Sequence, residues 1–402
     1  MRQVRVEDLK VLEKETSDKL RVNSPPGGWF PALQHLFWCI TESNLPYANL
    51  FFSPHLKRIS IDAARSWKVG NVPLPILSIA ASAISTLPTS NLERISVDPS
   101  HWPAALWAYF KDSFSSIILR CGSSFAEYDS PVPLSNAALD HLIHLPHLRI
   151  WRIHGPPPTY SASSLPLVFP SLGEITLGKG ATHGWLPLLR RLEGGASTTQ
   201  GVTPLSKAKE SLKVLRVEDM SGINTDPSFV SWIQCFRNLV CLDVGDFYYR
   251  GCDNGKCSFT LNNDNITELA MVLTQLESLD LGVPCSENTC LTTVACLLAI
   301  SVHCNKLKKV MIHFNTTNIV DDFRNILEDP QFQQLRSLPR CPLTALGVYS
   351  IPLNFHASGF DDYYTVVKGM ADIFPSLTYC EGFGEIWIEV SREIVGFREN
   401  PW

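Results

Sequence analysis

The sequence predicts an α/β solenoid, a curved parallel sheet of short strands with helices and loops returning along its convex side. Three observations predict it. A signature L-x-x-[apolar]-x-[apolar] recurs along the chain, and "LGEITL" from Leu172, within "FPSLGEITLGKG", is its plainest copy. Segments with helical spacing of apolar residues alternate with these signatures. The composition, 45% apolar and 18% charged, suits buried strands rather than disorder.

The signatures come in order. Leu33 opens "LQHLFW", Leu56 "LKRISI", Leu92 "LERISV", Phe114 "FSSIIL", Leu148 "LRIWRI" and Leu172 "LGEITL". Leu212 opens "LKVLRV", Leu239 "LVCLDV", Leu276 "LESLDL", Leu307 "LKKVMI", Leu343 "LTALGV", and Leu377 a degenerate "LTYCEG". These twelve units recur every ~31 residues on average, longer than the roughly 20–29 usual for leucine-rich repeats. In an extended chain the last two apolar positions point to one side, and the first Leu turns into the strand toward the same core. One such strand cannot bury its face alone, but a stack of parallel neighbours can. An ordinary doubly wound α/β fold also alternates strands and helices, though without a leading Leu at each strand.

Helices are predicted between the strands at 75–87, 135–145, 227–236, 265–276, 292–302, 321–329 and 363–374, from apolar spacing and good N-caps. The connections 154–170, 194–210 and 250–265 read as loops, the first because it is too rich in proline. Residues 1–28 form a charged N-terminal segment or cap, 29–390 the irregular solenoid, and 391–402 a tail. Segments 1–21 and 385–397 are the candidates for shielding the ends of the stack.

A net charge of −5 argues against nucleic acid or an anionic membrane as partner. The longest apolar runs, such as 294–302, are too short to span a bilayer. The charged start lacks a secretory apolar core. A cytoplasmic or nuclear protein with reduced thiols follows as the expectation.

Several stretches together, "FPALQHLFW", "LPYANLFFSPHLKRISI", "LPHLRIWRI", "LVFPSLGEITL" and "LESLDLG", resemble the leucine-rich-repeat part of fungal, mushroom-type F-box proteins. The resemblance covers roughly residues 29–390. It implies a non-catalytic substrate-binding module of a ubiquitin-ligase adaptor. In that family an N-terminal F-box binds a Skp-type adaptor protein. Residues 1–28 carry no Leu-Pro-led apolar run, so a Skp-type partner is expected only if an F-box lies upstream. A free-standing repeat scaffold or decoy is the alternative, and an enzyme on an ordinary α/β fold is a further one.

No motif for an enzyme stands out. A phosphate-binding Gly loop, a G-x-S-x-G elbow and an H-E-x-x-H pair are all absent from the sequence, and no cofactor is expected. His141 and His144 lie one helical turn apart, and their ordinary reading is surface residues of an amphipathic helix. Cys252, Cys257, Cys285 and Cys290 form two C-x4-C pairs on successive connections, which could hold zinc, pair as disulfides, or remain independent thiols.

The expected partner surface is the polar side of the strands. Its residues are Arg58, Arg94, Arg120, Arg152, His154, Arg216, Asp243, Asp280, His313 and Tyr349. The recurring arginines offer planar donor forks suited to carboxylates or phosphates. An acidic or phosphorylated protein partner follows, unless neighbouring Asp and Glu neutralise the arginines along the ladder.

Overall fold

The computed structural model describes residues 2–6, 19, 29–63, 72–102, 104–155, 169–178, 208–217, 229–244, 261–282, 291–335, 340–348, 360–382 and 385–399. The chain forms two compact units, Met1–Ser211 and Leu212–Trp402. The first contains strands β1 (Gln3–Val6), β2 (His35–Ile40), β3 (Arg58–Ala63), β4 (Arg94–Val97), β5 (Glu127–Ser130), β6 (Ile150–Ile153) and β7 (Glu174–Leu177). Each pairs in parallel with the next. The second contains β8 (Val214–Val217), β9 (Cys241–Asp243), β10 (Ser278–Asp280), β11 (Lys309–Ile312), β12 (Ala345–Val348) and β13 (Tyr379–Gly382), again parallel and in chain order. A doubly wound sheet reverses its strand order at a switch point. Within each unit no such reversal occurs, so the architecture is that of an α/β, leucine-rich-repeat-like solenoid.

The signature has a hydrogen-bonding cause as well as an apolar one. The carbonyl of the residue before each strand accepts two N–H groups from the following rung. Lys57 O receives Glu93 N (2.7 Å) and Arg94 N (3.0 Å), and Glu93 O receives Ala126 N and Glu127 N. The pattern continues at Ala126, Arg149, Lys213, Val240 and Glu277. The two positions between the leading Leu and the strand are thereby fixed rung by rung. The leading residue turns inward: Leu33, Leu56, Leu92, Leu148, Leu172, Leu212, Leu239, Leu276, Leu307, Leu343 and Leu377 are each at most 1% exposed. Full burial of such a side chain contributes about 1.5–3 kcal/mol.

A polar residue just before the leading position often ties adjacent rungs together. Asn91 donates to Pro54 O (2.9 Å), Ser124 to Leu92 O (3.4 Å), Ser171 to Pro146 O (2.7 Å) and Ser211 to Leu172 O (2.7 Å). The Ser of "FPSL" is therefore a cross-rung tie. At the β6 rung His147 holds this place.

Helices fill the connections. In the first unit these are α1 (Leu74–Ser85), α2 (Ala104–Arg120), α3 (Asn136–Ile143) and the short α4 (Ala208–Ser211), with a 3-10 turn at Leu45–Phe51. In the second they are α5 (Phe229–Ile233), α6 (Asn263–Val272), α7 (Ala295–His303), α8 (Ile319–Glu328), α9 (Pro330–Leu335), α10 (Phe360–Ile373) and α11 (Glu385–Glu399). All seven expected helices form. Their caps are legible: Ser135 accepts from Ala138 N (3.3 Å), and Asn262 and Asn265 form a reciprocal capping box. Of the expected loops, the stretches 156–168, 194–207 and 250–260 lie outside the described residues.

One expected strand is wrong. "FSSIIL" from Phe114 lies inside α2, and the strand of that rung is β5, led by Phe125. Phe114, Ile117 and Ile118 satisfy i, i+3, i+4 helical spacing as well as the strand signature. Leu106 and Phe110 extend the buried stripe toward the N-terminus, while Leu119 is 46% exposed, as a helix requires and a core strand forbids. The true rung was hidden because its inward positions are Phe125, Tyr128 and Ser130, all fully buried. The Tyr128 hydroxyl donates to Val132 O (3.0 Å) and Ser130 Oγ accepts from Val132 N, so both polar groups are satisfied inside the core.

One strand and the C-terminal helix boundary lie beyond the signature. β1 lies within the charged segment 1–28 and has no leading Leu, only Val6 buried. At the other end α11 runs through position 391, so the boundary placed at 390 falls inside a helix. Ser391 Oγ accepts from Cys380 N of β13 (3.1 Å), and Trp387 is fully buried. Among the described residues, no helix is long and apolar enough to cross a membrane.

Candidate interaction surface

The polar face of the first unit follows from register. One row joins Arg58, Arg94, Glu127, Ile150 and Glu174, and the next joins Ser60, Ser96, Asp129, Arg152 and Thr176. Side chains in one row are cross-strand neighbours and interact directly. Acidic residues that β5 contributes, Glu127 and Asp129, break the run of arginines. Arg94 pairs with Glu127 (3.1 Å), and Arg152 with both Asp129 (3.1 Å) and Glu174 (2.7 Å). His154 Nε2 lies 2.9 Å from Asp129 Oδ1. Burial works to raise the Asp129 carboxyl, but the His154 and Arg152 contacts outweigh it and hold it below its ordinary value. Neutralisation along the ladder is thus the rule in the middle of this face.

It fails at the ends of β3 to β6 where the strands begin. Here a cleft of ≈ 310 Å³ is lined by Arg58, Glu93, Arg94, Glu127, His147 and Arg149, with Ser124, Ala126 and Ser171. Glu93 is held by Lys57 (2.7 Å) and Glu127 by Arg94. Arg58, His147 and Arg149 are exposed, and among the described residues their side chains have no hydrogen-bond or ion-pair partner. The cleft carries three guanidinium groups against two carboxylates, in a chain whose net charge is −5.

Sequence reasoning placed Arg58, Arg94, Arg152 and His154 on this face, and they are there. Arg120 is not. It ends α2, where its guanidinium donates to Ser116 O (3.2 Å) and Ser85 O. The error follows from reading α2 as a strand. His147 and Arg149 lie outside the alternating strand positions from which the partner surface is read. The signal was present, since the residue after each leading Leu is charged in "LKRISI", "LERISV" and "LRIWRI".

In the second unit Arg216, Asp243 and Asp280 share a row with Met311, Gly347 and Glu381. Arg216 lies 3.9 Å from Asp243. Asp280 is only 7% exposed and accepts from Gly282 N (2.9 Å). Burial first, with the neighbouring Asp243 and Glu381 adding to it, pushes its carboxyl up to about 6, against the lowering pull of Gly282 N–H and Lys309. This row is acidic where the first unit's cleft is basic. His313 follows β11 but is buried at 4% exposure, so it is not a surface residue. Tyr349 lies outside the described residues, as do Cys252, Cys257, Cys285 and Cys290.

Elsewhere the polar groups serve the fold. His141 Nε2 contacts Cys121 O (3.0 Å) and His144 Nδ1 contacts Asp140 O (2.6 Å), so both rings are committed to backbone carbonyls. Burial pushes the thiols of Cys121, Cys304 and Cys341 up to about 12, which makes them inert core groups rather than nucleophiles. No cluster of three or more His, Cys, Asp or Glu residues suited to a metal occurs among the described residues.

No protein-family model matches the sequence, and no curated protein does. Among solved structures the chain is similar to one in the complex of Rad7 and Elc1 from yeast, at 14% identity and TM-score 0.42, over 94% of this chain and 80% of that one. It is also similar to an internalin from Listeria monocytogenes, at 10% identity and TM-score 0.33, over 73% of this chain and 72% of that one. A protein from Bacteroides fragilis matches at 12% identity and TM-score 0.34, over 86% and 73% of the two chains. Likenesses this distant carry no functional argument, and the fold assignment rests on the strand order and register above.

Proposed function

We propose that the chain is a non-catalytic protein-interaction module that docks a partner on the polar strand face of its first unit. The supporting observation is the cleft where β3 to β6 begin, with its unpaired Arg58 and Arg149 beside ion-paired neighbours. Unpaired guanidinium groups are donors that need no existing pair to be broken before they bind a carboxylate or phosphate. Together with the resemblance to fungal F-box repeat proteins, this favours the substrate-binding part of a ubiquitin-ligase adaptor acting in the cytoplasm or nucleus. The partner presents an acidic surface. A free-standing scaffold is the second reading, and binding of a Skp-type adaptor distinguishes the two.

The test uses a partner isolated by proximity labelling and then purified. Arg58→Glu combined with Arg94→Glu is expected to weaken its binding at least tenfold while leaving the circular dichroism spectrum unchanged and lowering the melting temperature by only a few degrees. The one ion pair lost, Arg94 to Glu127, is partly exposed and worth at most about 1 kcal/mol, and the like charges then facing one another at positions 58, 94 and 127 cost a comparable amount. Unchanged affinity removes this face as the docking surface. Co-elution with a Skp-type adaptor supports the ligase link, and partner binding without adaptor binding favours the scaffold.

A further inference from the structure

The cleft holds more than generic positive charge, and its layout points to a ligand. At one end His147 occupies the place where Asn91, Ser124, Ser171 and Ser211 tie their rungs to neighbouring carbonyls. His147 makes no such tie. Its ring and the Arg149 guanidinium, two residues on, both line the cleft without a partner. At the other end stands Arg58, also unpartnered. The central Arg94 and Glu127 neutralise each other at 3.1 Å.

Register fixes the separation of the two ends. Arg58 aligns through Arg94 and Glu127 with Ile150, the residue after Arg149. Three strand spacings separate them, about 14 Å at 4.8 Å each. An extended peptide advances about 3.4 Å per residue, so about four residues bridge the two ends.

We propose that the cleft binds a phosphorylated peptide segment of a partner protein, with the phosphate held by Arg149 and His147 and an acidic side chain about four residues away on Arg58. A phosphate takes a bidentate guanidinium and an imidazole N–H donor together, whereas a carboxylate suits the single Arg58. The phosphate end has two adjacent donors and the other end has one, which distinguishes the two seats. This inference rests on the docking reading above and specifies its ligand.

The experiment measures fluorescence anisotropy with degenerate peptides that carry a central phosphoserine and a glutamate either four or two residues away, alongside their unphosphorylated forms. The four-residue phosphopeptide is expected to bind at least tenfold tighter than its unphosphorylated form and several-fold tighter than the two-residue peptide. Arg149→Glu or His147→Ala should abolish the gain from phosphorylation. Arg392→Glu, an equal charge change on exposed α11, should leave it intact. Equal binding of phosphorylated and unphosphorylated peptides, with both lost on Arg58→Glu, overturns the phosphate seat but keeps the docking face. Tight phosphopeptide binding that survives Arg149→Glu places the ligand elsewhere and overturns the inference. Binding of neither peptide overturns it as well, and the isolated-partner measurement then decides the docking face independently.

Discussion

Trp151→Ala is expected to lower the stability of the first unit by about 3–5 kcal/mol, the usual cost of truncating a large buried aromatic. Trp151 is the second residue of β6, fully buried, with its ring 5.1 Å from that of Phe169. It stands in register between Tyr128 and Ile175 on the neighbouring strands, so a void there opens onto both adjacent rungs. The melting temperature should fall by roughly 6–20 °C, since about 1 kcal/mol corresponds to 2–4 °C in a unit of this size. Trp151→Phe should cost much less. Among the described residues the indole Nε1 has no hydrogen-bond partner, so its removal takes away an unsatisfied buried donor along with some contact area. Urea denaturation of the two variants checks both values. A cost under about 1 kcal/mol for the alanine variant would mean that β6 does not sit inside a packed stack.

Two helical glycines should respond to alanine with opposite signs. In an exposed helix Gly→Ala gains about 0.5–1 kcal/mol. Gly396 of α11 has open space where a Cβ would be added, so Gly396→Ala should stabilise by that amount. Gly369 of α10 is different. A Cβ there would lie 2.3 Å from Phe323 Cδ1 and 2.8 Å from its Cγ, and Phe323 of α8 is fully buried. Overpacking of this kind typically costs about 1–3 kcal/mol, enough to reverse the helix-propensity gain. Gly369→Ala should therefore destabilise the second unit, and larger residues more so. Gains at both positions would show that α8 and α10 are not in close contact.

Legibility differed between the sheet and the cleft for physical reasons. A buried leading residue, Leu at eleven of the rungs, is a local and repeated demand, so it recurs along the sequence and can be read there. Phe114 misled because a six-residue window of apolar residues fits both a strand and a helix, and only the longer stripe from Leu106 to Ile118 separates them. β5 was invisible because Tyr128 and Ser130 meet the inward positions with buried hydrogen bonds rather than with aliphatic side chains. β1 was invisible because, among the described residues, Gln3–Val6 pairs only with β2 and buries just one residue, Val6.

The arginines of the face were readable as residue types, but their pairing was not. Whether Arg152 is neutralised depends on which residues register places beside it, and Asp129 and Glu174 are 23 and 22 positions away in sequence. The same holds for Arg58, whose freedom follows from standing next to Arg94 rather than an acid. His147 and Arg149 lie just before β6, where the question asked of the sequence, which residues alternate along a strand, does not reach.

The claim on which the rest depends is that the leucine signatures are consecutive rungs of a parallel ladder in the stated register. Ser60 and Ser96 are opposite one another on β3 and β4, on the polar face. Parallel neighbours about 4.8 Å apart fall within the Cα separation that a disulfide accepts. With Ser60→Cys and Ser96→Cys introduced together, mild oxidation and peptide mapping should reveal a disulfide joining positions 60 and 96 in high yield. Ser60→Cys with Arg94→Cys, two residues out of register, should give little. Efficient bonding of the second pair, or none of the first, would contradict the ladder.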